Sequence, residues 1–205
     1  PSSGSANPPR QLWASLLTVA LTGLLVLAYL LSSLLDFRGS PVWFPLPLHI
    51  VMETFAITVA ILVFAVAWHS QQPVHLSNPL LACSFLAIAL LDMAHTLSYQ
   101  GMPLWVTPAS PEKAIAFWLV SRFVLALTLL AIACRLCRRC VTLPRYVLLV
   151  SALGLVALVG YLQLFQPQLW PRTFIEGQGL TAFKVSMEWL LIALFALAAW
   201  LFWRN

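Results

Sequence analysis

Six long apolar runs, at about 12–35, 46–68, 79–99, 112–134, 144–166 and 180–203, constrain what this chain can fold into more than any other feature. Each is near or above the roughly 20 residues that an α-helix needs to cross about 30 Å of hydrocarbon. A backbone in lipid must satisfy its own hydrogen bonds, which leaves helices or a closed barrel. A barrel needs short segments of alternating polarity, whereas these runs are continuous and rich in Leu and Ala. The reading is all-α: an integral membrane bundle of six transmembrane helices embedded in a lipid bilayer. With 61% hydrophobic residues, 8% charged residues and a mean hydropathy of +0.92, a soluble globular fold is excluded.

Residues 1–11 are polar and rich in Pro and Ser, and are expected to form a disordered segment ahead of a membrane domain spanning 12–205. The first run is read as a retained span. It is longer than a signal-peptide core and is followed by Asp36-Phe37-Arg38-Gly39 instead of a small-residue cleavage site. Asn78-Pro79 and Ser110-Pro111 each set a capping residue before a proline, whose missing N–H costs nothing in the first helical turn. The third and fourth spans are therefore expected to begin near Pro79 and Pro111.

Arg135, Arg138 and Arg139 lie between spans four and five, with Arg145 shortly after and no acid among them, which marks that connection as cytoplasmic. Six spans then place both termini in the cytoplasm. The opposite connections carry a mixed-sign set, Arg38, Glu112, Lys113, Arg172 and Glu176. The net charge of +5 is thus a topology signal, and no basic soluble domain is present to bind nucleic acid. The sequence stops at Trp203-Arg204-Asn205, just past the last run, as expected of an input module whose polypeptide continues into a cytoplasmic output domain. Cys134, Cys137 and Cys140 have the spacing of a partial metal site, but a fourth local ligand is missing; reduced thiols or a palmitoylated edge is the expected state.

Ionisable residues inside the apolar runs are the candidates for function, because a charge in hydrocarbon is costly. Counting from the outer ends of their spans at 1.5 Å per residue puts Glu53, Asp92 and Glu188 at a common depth of roughly 10 Å. His49 stands four residues from Glu53, His95 three from Asp92 and Lys184 four from Glu188, so each carboxylate has an ionisable neighbour on its own helix face. Arg122 starts deeper, and its long side chain can snorkel toward the carboxylates. Two readings follow: an outward-facing polar cavity shared by spans two, three, four and six, or a salt-bridge network that fixes helix register. His49 and His95, at one level on antiparallel helices, could also ligate haem b or, with Glu53 and Asp92, a transition metal ion.

The run Leu90-Leu91-Asp92-Met93-Ala94-His95-Thr96-Leu97-Ser98-Tyr99-Gln100-Gly101-Met102-Pro103, with His49-Ile50-Val51-Met52-Glu53 before it and Phe117-Trp118-Leu119-Val120-Ser121-Arg122 after it, resembles the third class of bacterial membrane-associated sensor domains. Those are N-terminal membrane modules of histidine kinases, diguanylate cyclases and phosphodiesterases. The resemblance implies a non-enzymatic sensory domain, a homodimeric assembly through the attached output domains, and a pocket that includes His49, Glu53, Asp92, His95 and Arg122. Lys184 and Glu188 join the candidate ligand-binding set on depth alone, and Tyr99 as part of the motif.

The sensory reading predicts signalling in a two-component or cyclic-di-GMP system. The alternatives are a haem- or metal-binding redox protein built on His49 and His95, and a transporter or proton path. The latter is opposed by the clustering of polar residues toward one face. A metalloprotease signature H-E-x-x-H and a Gly-x-Ser-x-Gly elbow are both absent from the sequence.

Overall fold

The computed structural model describes residues 46–70, 77–134 and 144–204, with three isolated positions at Val19, Gly23 and Leu27. The segment 1–11, the span expected at 12–35, and Arg135, Cys137, Arg138, Arg139 and Cys140 lie outside the described residues. The chain divides after Pro45, and the fold that follows is that of the second unit, Leu46–Asn205.

Five helices make up that unit among the described residues: α1 (Leu46–His69), α2 (Ser77–Ser98), α3 (Pro111–Ala133), α4 (Arg145–Phe165) and α5 (Ala182–Arg204). All five are long and apolar enough to cross a membrane. They correspond to the second through sixth predicted spans, so an all-helical, multi-pass membrane protein stands, with five of the expected six spans among the described residues and the first outside them. A turn of 3-10 helix (Pro167–Leu169) and a two-stranded antiparallel hairpin, β1 (Phe174–Ile175) with β2 (Gly179–Leu180), join α4 to α5. The hairpin pairs Phe174 with Leu180 and Ile175 with Gly179, and Gly177 and Gly179 supply its positive φ angles of 80° and 89°.

Helix boundaries follow local chemistry. Ser110 caps α3 in extended conformation, its side chain accepting from the Lys113 amide at 3.3 Å, with Pro111 in the first turn. Thr181 does the same for α5 by accepting from the Lys184 amide. Beyond α2, Gly101 adopts a φ of 95°, and a Cβ there would meet the Leu46 side chain at 3.2 Å. The turn that closes α2 is therefore seated on the start of α1.

Packing is organised around α2, which touches α1, α3 and α4, while α5 is held by α3. Each interface has its own cluster: Ala60 with Ile88 and Ala89 between α1 and α2; Leu91, Ala94, Phe117 and Val159 among α2, α3 and α4; Leu119, Ala126 and Leu191 between α3 and α5. The buried positions are mostly small, including Ala82, Ala87, Ala116, Ala126 and Ser121, whereas Val51, Phe55, Val66, Trp189 and Phe202 point outward. That inversion suits lipid, which solvates large apolar side chains as well as a protein core does, so helices associate where small residues let backbones approach. Thr128 on α3 adds a 2.8 Å hydrogen bond to Ser84 on α2.

Candidate functional site

The end of the bundle that carries Tyr99 gathers the ionisable residues. His49 and Glu53 lie one turn apart on the same face of α1, and α2 runs antiparallel beside it, bringing His95 and Tyr99 opposite. The His49 ring meets the Tyr99 ring at 4.0 Å between centroids and the His95 ring edge-on at 5.6 Å. Potential ligand atoms of His49, Glu53 and His95 all lie within 4.8 Å of one another. His49 and His95 are buried and Glu53 is partly so.

His95 is oriented from a third helix. Its Nδ1 lies 2.8 Å from the backbone carbonyl of Ala114 on α3. A carbonyl oxygen only accepts, so Nδ1 carries the proton and donates, and the other nitrogen, Nε2, faces Glu53 at 3.9 Å from Oε1. That separation is beyond a hydrogen bond.

One turn along α2 from His95, Asp92 is almost wholly buried. Arg122 on α3 donates to it through Nη2 at 2.5 Å, and the same nitrogen lies 3.3 Å from Ser121 Oγ. Asp92 Oδ1 and Arg122 Nε are buried and make no hydrogen bond among the described residues. The pair bridges α2 and α3, with the Asp92 side chain almost wholly buried and that of Arg122 partly exposed. A charged pair here is held by mutual neutralisation, since either partner alone would be an uncompensated buried charge.

Arg122 also faces the other way. With Trp118, Glu188, Trp189, Leu191 and Phe195 it lines a cavity of about 540 Å³ between α3 and α5. Glu188 is ion-paired to Lys184 within α5. The Trp118 ring is flanked by two cations, with the Arg122 guanidinium carbon 5.9 Å and Lys184 Nζ 5.6 Å from its centroid.

These positions correct the expectation of one cavity shared by four helices. Of the four helices that carry these residues, α2 packs against both α1 and α3 while α5 packs against α3, so equal depth does not bring all three carboxylates together. Glu53 belongs with the two histidines, Asp92 with Arg122, and Glu188 with Lys184. Asp92 is engaged by Arg122 and is not among the donors gathered around His49 and His95.

Several polar residues lay outside the candidate set. Lys113, assigned to a loop, begins α3 and is buried; its Nζ donates to Thr107 O at 3.1 Å, Thr107 Oγ1 at 2.7 Å and Pro108 O at 2.8 Å. This clamp holds a connection in which Val106 has a φ of 55°, rare for a β-branched residue. Gln163, buried on α4, borders a cavity of about 270 Å³ with Lys113 and Trp170. Gln163 and the Ser84–Thr128 pair were visible as polar residues within apolar runs. Nothing in the sequence marked the Lys113 clamp.

A family model described as a membrane-associated sensor domain, MASE3, matches residues 40–205. The chain belongs to this family. No curated protein and no solved structure matches it. Within this membrane-associated sensor domain, the match takes in all five described helices, and with them every ionisable residue of the candidate site.

Proposed function

We propose that this membrane-associated sensor domain detects a stimulus at the His49–Glu53–His95 cluster and passes the change through Asp92 and Arg122 to α5, and thence to a cytoplasmic output domain in the same polypeptide. The observation that carries the reading is the double engagement of Arg122, bonded to Asp92 on one side and bordering the α3–α5 cavity with Glu188 on the other. His95 and Asp92 are one turn apart on α2, so displacing His95 moves the carboxylate that holds Arg122. Releasing or tightening that hold changes what Arg122 offers to Trp118 and α5, a local charge event with two packings to choose between.

The domain itself performs no chemistry in this reading. It lies in a bacterial inner membrane with both termini cytoplasmic, acts as a homodimer through its output domains, and its site opens to the outer side. The arginine-rich connection and the family support that orientation.

Output activity of the parent polypeptide in membranes tests the proposal. Glu53→Gln, Asp92→Asn and Arg122→Gln should each change the ratio of stimulated to basal output by about 5-fold or more, the lower end of typical coupling between sites, while insertion is retained. Unchanged output in all three variants under every stimulus tried would contradict it.

A further inference from the structure

We propose that His49, Glu53 and His95 bind one divalent transition-metal ion of the zinc type. As the identity of the stimulus this rests on the sensory reading above; as a binding site it stands on geometry alone. Two imidazoles and one carboxylate are a donor set used by zinc in sites that keep a fourth position open, and imidazole suits zinc, copper, iron and nickel alike.

The site has the supports that such centres need. Two of its donors, four residues apart on α1, share a helix face, and the third comes from the antiparallel neighbour. The Ala114 carbonyl accepts from His95 Nδ1 at 2.8 Å, which fixes the ring and, in the neutral imidazole, leaves the Nε2 lone pair directed at Glu53. This is the outer-shell arrangement found around ligating histidines, where a carbonyl or carboxylate sets tautomer and basicity. In the neutral imidazole a lone pair and a carboxylate face each other across 3.9 Å, beyond a hydrogen bond, an arrangement that a cation bound between them makes favourable. Bonds of about 2.0–2.1 Å to a tetrahedral ion hold donors roughly 3.4 Å apart, so small side-chain rotations close the present cluster around a metal. Asp92, already neutralised by Arg122, does not compete. With one carboxylate and two neutral imidazoles, a divalent ion leaves a net charge of +1, which an anionic or water-derived fourth ligand can offset.

Binding of Zn²⁺ and of Co²⁺ as its spectroscopic substitute to the chain in lipid nanodiscs tests this. The expected result is one ion per chain with Co²⁺ ligand-field bands of nitrogen and oxygen ligation. Each of His49→Gln, Glu53→Gln and His95→Gln should weaken binding by more than the roughly 10–100-fold that loss of an outer-shell partner costs. Far-UV circular dichroism and elution volume confirm that these near-isosteric variants remain folded. Absence of stoichiometric binding, or binding unchanged in all three folded variants, overturns the proposal. So does an ion that shows thiolate charge-transfer bands and is lost on replacing Cys134, Cys137 and Cys140. Because the readout is binding, a negative result removes the metal and leaves the sensory reading to its own test of output.

Discussion

Asp92 of α2 and Arg122 of α3, thirty residues apart in sequence, are joined by a 2.5 Å hydrogen bond in which the carboxylate is almost wholly buried and the guanidinium partly exposed. Removing one partner strands the other. Asp92→Ala is expected to destabilise the domain by about 3 kcal/mol, at the low end of the range for broken buried pairs because Arg122 is partly exposed. Arg122→Ala should be similar, and the double variant less destabilised than the sum by roughly 0.5–3 kcal/mol. Chemical unfolding in detergent, run as a double-mutant cycle, measures all three.

The small-residue interfaces predict opposite tolerances on the two sides of a helix. Ala116, fully buried on α3, leaves no room for growth, and Ala116→Leu should cost about 1–3 kcal/mol through forced displacement of neighbouring helices. Val51→Leu on the outward face of α1 should fall within about 0.5 kcal/mol of wild type. Unfolding midpoints of the two variants provide the comparison.

Lys113 is expected to order the connection between α2 and α3. Lys113→Met removes three hydrogen bonds from a charged donor to Thr107 and Pro108. Opening of that segment should become easier by about 1.5–3 kcal/mol, so amides at 101–110 should exchange roughly tenfold faster or more. Hydrogen exchange read by mass spectrometry checks it.

Val106 holds a left-handed backbone at φ 55° with its side chain exposed. Val106→Asn should stabilise the domain by about 0.5–1 kcal/mol, since Asn accepts this conformation and no packing is lost. A raised unfolding midpoint is the expected result.

Much of this architecture was legible because membrane helices announce themselves by length and apolarity. Leu46–His69 was expected at 46–68, and Pro111–Ala133 at 112–134. The same arithmetic put His49 level with His95 on antiparallel helices and, through the length of its side chain, the deeper Arg122 within reach of the carboxylates. Depth says nothing about which helices are adjacent, however. That is why Glu188, counted to the same depth as Glu53, stands on α5, which packs against α3. The hairpin at Phe174–Leu180 and the Lys113 clamp escaped notice for another reason: short connections are set by backbone carbonyls and glycine φ angles, which leave little trace in hydropathy.

The coupling of α1 and α2 to α5 through Arg122 is the central claim, and electron–electron distance measurement tests it most directly. Spin labels at Leu104→Cys and Trp203→Cys, both exposed positions, would be placed in protein whose native cysteines are replaced. Glu53→Gln should shift the distance distribution when Arg122 is present and leave it unmoved in Arg122→Gln. An equal shift in both backgrounds, or none in the first, would contradict the relay.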